Sequence, residues 1–255
     1  MGVSMRQKRS IVVGAPTLRL GGDPEETRQR EWYVPSFGGN RFRMFAGLTF
    51  YPYTLMNASY ILIGSLIAPV VHFDRMGMMA IVYILAVGVS AHALDATGPN
   101  KPWGAFLSRR QLQVLALCGF IPSLGLGLYL ALAFAPVLIP LGLIELFLLF
   151  AYNLELFGGR FHTDGWFAFS WGFLPVLVGY AVQANVVDPV SVGGGLFGFF
   201  TALVEISASR PYKALKKQPE GSASPLAAKF ELILKSVVAS VLAAALFLLL
   251  LNIFG

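Results

Sequence analysis

His92 and Asp95 stand three residues apart in Ser90-Ala91-His92-Ala93-Leu94-Asp95-Ala96-Thr97-Gly98-Pro99-Asn100-Lys101-Pro102-Trp103-Gly104, where a long apolar run turns abruptly polar. Residues at that spacing are neighbours on one face of a helix. An imidazole beside a carboxylate can bind a cation or move a proton; equally, the two can hydrogen-bond each other and close the helix end. Further groups of the same kind occur later in the chain: Tyr152 and Glu155, then Arg160, His162, Thr163 and Asp164, then Glu205, Ser207, Ser209 and Arg210. If His92, Asp95, Glu155, His162 and Glu205 converge, their mixture of nitrogen and oxygen donors suits a transition metal better than magnesium, which prefers oxygen alone. Each also has a plainer use: Glu155 paired with Arg160, His162 exposed in a loop, and Glu205 paired with Arg210.

These residues need elements to hold them, and composition decides which. The chain has 255 residues, 56% hydrophobic and only 13% charged, with a mean hydropathy of +0.68; soluble domains carry about 25% charged residues. This is the composition of an integral, multi-pass membrane protein. A hydrocarbon core of about 30 Å takes about 20 apolar helical residues. Seven runs fit that length: 48-71, 78-97, 111-133, 135-154, 166-184, 190-208 and 231-254. They are continuously apolar instead of alternating, which selects helices over barrel strands. The expected fold is therefore an all-α polytopic bundle of about seven spans over residues 45-255. Residues 1-44 read as a basic arm, in part disordered, with no apolar segment of the kind a cleaved leader needs. Gln218 to Pro225 reads as a flexible loop. The single cysteine, Cys118, excludes a disulfide framework and a cysteine-based metal site.

Basic residues orient such a bundle, because Lys and Arg accumulate in cytoplasmic loops. Arg6, Lys8, Arg9, Arg19, Arg28, Arg30, Arg41 and Arg43 precede the first run, and Lys101, Arg109, Arg110, Arg160, Arg210, Lys213, Lys216, Lys217 and Lys229 fall in later loops on the same side. Arg75 alone falls on the other. The N-terminus is thus expected in the cytoplasm, in the plasma membrane of a prokaryote, with the candidate polar residues at the cytoplasmic face. This sidedness and anionic headgroups account for the +6 net charge, so no nucleic acid is expected as a partner. Ionisable groups inside a span cost about 2.5–3.5 kcal/mol on insertion scales, so they face a cavity, pair, or work. Glu145 is the exception in position, near the middle of its run. Its expected structural partner is Asn57 or a tyrosine of the first helix; its expected functional use is proton relay or acceptor binding. Gly193-Gly194-Gly195 is expected to serve close helix packing.

The order of these features resembles the UbiA superfamily of intramembrane prenyltransferases. The similarity is carried by Arg41-Phe42-Arg43 and Leu62-Ile63-Gly64-Ser65-Leu66-Ile67-Ala68, by the polar helix end followed by Lys101-Pro102-Trp103-Gly104 and Ser108-Arg109-Arg110, by Tyr152-Asn153-Leu154-Glu155 at the place of a Tyr-x-x-Lys segment, and by Arg160-Phe161-His162-Thr163 and Gly172-Phe173-Leu174-Pro175-Val176-Leu177-Val178-Gly179-Tyr180. It covers roughly residues 41 to 217. The resemblance implies a prenyl-group transferase that holds an isoprenyl diphosphate through magnesium at the cytoplasmic face, with the prenyl chain in an apolar tunnel. On that template Asp95, Asn100 and Glu205 would be metal-side ligands, with His92 as auxiliary ligand or base. Lys101, Arg109, Arg160, Arg210 and Lys213 would neutralise the diphosphate, with His162 beside them, and Tyr152 would position the reacting end. The first motif, Asn-Asp-x-x-Asp-x-x-x-Asp in the family, keeps only its second aspartate, Asp95, and Glu155 stands in the lysine position. Two other readings remain open: a UbiA-like lipid-binding protein or complex subunit without transferase activity, and a small transporter.

Overall fold

In the computed structural model the described residues are 31–97, 107–218 and 224–255. Among them the chain is helical, without strands. Helix α1 spans Asn40–Thr49 and α2 Tyr51–Leu66. They are split by Phe50, whose φ of 45° is left-handed, and Pro52 is the local signal, since proline suits the first turn of a new helix. Helices α3 (Phe73–Asp95), α4 (Arg109–Ala133), α6 (Asp164–Ala184), α7 (Pro189–Lys216) and α8 (Pro225–Phe254) are long and apolar enough to cross a membrane. Helix α5, Leu138–Asn153, is apolar but shorter. Each of the seven apolar runs therefore falls mainly on one helix, and five of those helices reach spanning length. The first run is the one most altered: its helical core, α2, has 16 residues.

Helix starts reflect local chemistry. Ser108 accepts the Gln111 N–H and Gln111 returns the bond, a capping box that opens α4. Asp188 and Ser191 do the same for α7, with Pro189 in its first turn. Thr163 caps α6 through the Trp166 N–H. Helix α1 begins at Asn40, inside the residues expected as an arm, and Tyr33 and Val34 are already buried. The first thirty residues of that arm, the candidates Asn100 and Lys101, and most of the 218–225 loop lie outside the described residues.

Helix α6 is the central element: 67% of its span is buried, against 17% for α8 and 28% for α4, which face outward. Its close neighbour is α2. A Cβ on Gly64 would strike the Val176 carbonyl, and one on Gly179 would strike that of Ile61, so both glycines are required for the approach. Polar bonds lock the pair, Ser65 donating to the Gly179 carbonyl at 2.8 Å and Asn57 to that of Trp171 at 2.7 Å. Helix α7 packs on the same centre, with Gly198 against Gly172 and Thr201 bonded to Tyr60 at 2.8 Å. In the glycine run, Gly194 and Gly195 pack on neighbouring side chains while Gly193 meets open space.

Two π-helical segments interrupt the α pattern, Ile84–Ala91 in α3 and Phe169–Phe173 in α6. A wider turn rotates the register of the downstream helix and often marks a functional site. His92 begins immediately after the first, and Trp171 lies within the second.

Candidate functional site

One end of the bundle holds a cavity of about 240 Å³. Its walls come from the start of α2, the end of α3, the end of α5, the start of α6 and the end of α7. Seven of the residues singled out in the sequence line it: His92, Asp95, Tyr152, His162, Glu205, Arg210 and Lys213. They arrive from four separate stretches of chain, so their meeting is a property of the bundle.

Glu205 is the deepest charge. It is 3% exposed and, among the described residues, forms no hydrogen bond or ion pair; the charge that acts on it most strongly is Lys213, about two turns further along the same helix. The expected pairing with Arg210 does not occur, because Arg210 turns outward to Asp164 (2.9 Å) and donates to the His162 carbonyl (3.4 Å). Other polar atoms in the wall are also open. Asn57 Oδ1, Ser209 Oγ and His92 Nδ1 are buried without a hydrogen-bond partner among the described residues, and the Gly88 and Thr49 backbone carbonyls lie beside the His92 ring. Buried polar groups left open cost about 1–3 kcal/mol each, so several on one cavity wall point to a polar ligand.

Aromatic rings fix the rest. The Phe50 ring lies 4.9 Å from that of His92, and Lys213 Nζ sits 5.2 Å from its centroid. A left-handed aromatic residue is strained, and strain of this kind persists where surrounding structure enforces it. His162 stacks on Tyr152 at 4.4 Å, with its Nδ1 3.1 Å from the Tyr152 carbonyl, so it is not the free loop residue its position suggested. The Tyr152 hydroxyl faces the Arg210 guanidinium.

Three candidates do not line the cavity. Glu155 has a φ of 49°, and positive φ at Phe157, Gly158 and Gly159 continues the outward turn, leaving its side chain exposed and without an ion pair to Arg160. Arg160 is exposed on the same turn, and Arg109 is exposed in the first turn of α4. Phe50, Tyr53 and Trp171 line the site without having been singled out as site residues. Pro52 and the break it marks were the available signal for Phe50.

The donor set decides what cation the site can hold. Asp95 and Glu205 supply carboxylates, but among the described residues no three His, Cys, Asp or Glu side chains converge on one point. A closed transition-metal site is not formed by them. Magnesium commonly takes only one or two carboxylates and fills its remaining positions with water and phosphate oxygen, and Asp95 with Glu205 fits that pattern.

Adjoining this cavity is a second, apolar one of about 250 Å³, and Val87 and Trp171 line both. Glu145 opens into it and accepts a hydrogen bond from Tyr83 of α3. The expected partner, Asn57 or a tyrosine of the first helix, is displaced because Asn57 is engaged by the Trp171 carbonyl. Comparisons of the chain with protein-family models, curated proteins and solved structures give no match.

Proposed function

We propose that this chain is a UbiA-like membrane enzyme that binds an isoprenyl diphosphate in the polar cavity and transfers its prenyl group. In this reading it has seven spans, with the basic end of the bundle in the cytoplasm and the protein in the plasma membrane of a prokaryote. The observation that carries the reading is Glu205: a buried carboxylate with no hydrogen bond or ion pair among the described residues, sharing one cavity with Asp95, His92, Arg210 and Lys213. A carboxylate in that state can hold a cation, and Arg210 and Lys213 on the same cavity wall can contact an anion. A diphosphate with its magnesium supplies both.

Asp95 and Glu205 would hold the magnesium, which neutralises diphosphate oxygens when bound. Lys213 and Arg210 would contact the remaining oxygens, and Tyr152, fixed by His162, would orient the reacting end. The carbon–oxygen bond breaks with its electron pair leaving on diphosphate. The allylic carbon gains a bond to the acceptor, whose proton passes to His92 Nδ1. Phe50, Tyr152 and Trp171 supply ring faces for the developing cation. The exposed Glu155, at the position of the family's lysine, supports a second reading in which the same lipid is bound without transfer.

Thermal unfolding in detergent with geranylgeranyl diphosphate, with and without magnesium, tests binding. A ligand at about 100 times its Kd adds about 2.7 kcal/mol. Stabilisation that needs both magnesium and Asp95, and disappears in Asp95→Ala, is the expected result. Absence of any shift would remove the diphosphate reading; a shift without prenyl transfer to any acceptor would select binding without catalysis.

A further inference from the structure

Glu145 is unexplained by the diphosphate site. It lies on α5, about two turns from Tyr152, and faces the apolar cavity bounded by α3, α4, α5 and α6. Tyr83 occupies Oε1, while Oε2 makes no hydrogen bond among the described residues. An amide or hydroxyl would have satisfied Tyr83 equally well, so the second oxygen is surplus to structure. Ionisable groups at this depth are retained for a partner or a task. The other polar side chains of the cavity do not supply a second donor: Ser123 and Ser170 turn their hydroxyl protons back to the Phe120 and Trp166 carbonyls of their own helices, and the Trp171 indole N–H makes no hydrogen bond to Glu145 among the described residues. What the cavity lacks is a donor for Glu145.

Its outer wall shows where that donor comes from. Leu124 and Leu128 of α4 and Ile139 and Leu143 of α5 line the cavity and are each at least 41% exposed on the outer surface of the bundle. A ligand therefore enters sideways, from among lipid chains. A hydroxyl carries no charge and so passes the apolar wall without the desolvation cost of several kcal/mol that an ammonium meets on the way in.

We propose that this cavity is a second binding site, entered from the bilayer between α4 and α5, that takes a long-chain alcohol and holds its hydroxyl on Glu145 Oε2. The site does not depend on the diphosphate reading.

Quenching of tryptophan fluorescence by ω-bromooctanol, compared with bromooctane, tests it on the purified full-length protein, because Trp171 lines the cavity. The alcohol should bind about tenfold more tightly than the bromoalkane, the equivalent of about 1.4 kcal/mol. Trp171→Phe should lose the quenching, and Glu145→Leu should keep bromoalkane binding while losing the preference for the alcohol. Equal binding of the two probes to the wild type, or an unchanged preference in Glu145→Leu, would overturn the proposal. If Glu145→Leu does not fold, photolabelling of the wild type with a diazirine-bearing octanol decides: labels confined to 79–87, 120–131, 138–149 and 170–178 and competed by octanol but not octane support the site. Uniform, uncompeted labelling of all outward-facing helices refutes it.

Discussion

Tyr152 and His162 stack with their ring centroids 4.4 Å apart and their planes 25° from parallel, across the connection between α5 and α6. The His162 ring is further tied to the Tyr152 carbonyl at 3.1 Å. This pair closes one wall of the polar cavity and holds the loop that carries Arg160 away from it. The phenol also faces Arg210, so ring and hydroxyl have separable duties. Tyr152→Phe should unfold within about 0.5 kcal/mol of wild type yet weaken magnesium-dependent diphosphate binding. Tyr152→Leu should also lose the stacking energy of about 0.5–1.5 kcal/mol. Paired thermal unfolding and binding titrations separate the two; equal effects of both substitutions would deny the hydroxyl a role.

Glu205→Gln keeps shape and removes a buried charge that has no partner among the described residues. Desolvating an uncompensated carboxylate costs several kcal/mol, so the ligand-free protein should be as stable as wild type or more so. Binding of diphosphate with magnesium should fall at least about tenfold, because one charge-assisted contact contributes about 1.5–3 kcal/mol. A marked loss of stability in the empty protein would instead make Glu205 a structural residue.

Gly179→Val should be among the most damaging single changes, since its side chain would enter the Ile61 backbone of α2. Overpacking of this kind costs about 1–3 kcal/mol or more, and here backbone must move. Gly193→Ala, where a Cβ meets open space, is the matched control and should be near neutral. Detergent unfolding midpoints of the two variants check the contrast.

At the other end of the bundle the Tyr180 hydroxyl donates to Asp188 at 2.5 Å and the Ser191 N–H to its other oxygen at 2.9 Å. The tyrosine bond foremost holds the Asp188 carboxyl below its usual range. A lowered folded value means the contribution is present above the ordinary aspartate value of about 3.9 and is lost as pH falls through the folded value. Asp188→Asn should therefore be less stable than wild type at pH near 6, with the gap closing on acidification below about pH 4. Unfolding curves of both proteins across that interval provide the check; a gap independent of pH would assign the effect to geometry alone.

Sidedness is tested by cysteine labelling in a Cys118→Ser background, since Cys118 is itself exposed. Arg109→Cys should react with membrane-impermeant maleimide only from the cytoplasmic side and Arg75→Cys only from the outside. The reverse pattern would invert the proposed orientation.

The amino-acid sequence by itself determined that the chain is a bundle of apolar helices, because bilayer length and backbone hydrogen bonding leave a continuous apolar run little else to become. It also separated the basic end from the other and placed His92, Asp95, Tyr152, Glu205 and Arg210 at helix ends and His162 and Lys213 in loops, since charge is tolerated there; the structure instead continues α7 through Glu205, Arg210 and Lys213 to Lys216. Tertiary structure alone decided which of them meet. Two π-helical segments reset the register of α3 and α6, and glycine contacts set how closely α2, α6 and α7 approach. Neither can be read from hydropathy, which averages over turns. The pairing of Arg210 with Asp164, the exclusion of Glu155 by a run of positive φ, and the choice of Tyr83 as the partner of Glu145 are likewise three-dimensional outcomes. Each depends on where a neighbouring helix places its atoms, and that is fixed by packing between segments far apart in the chain.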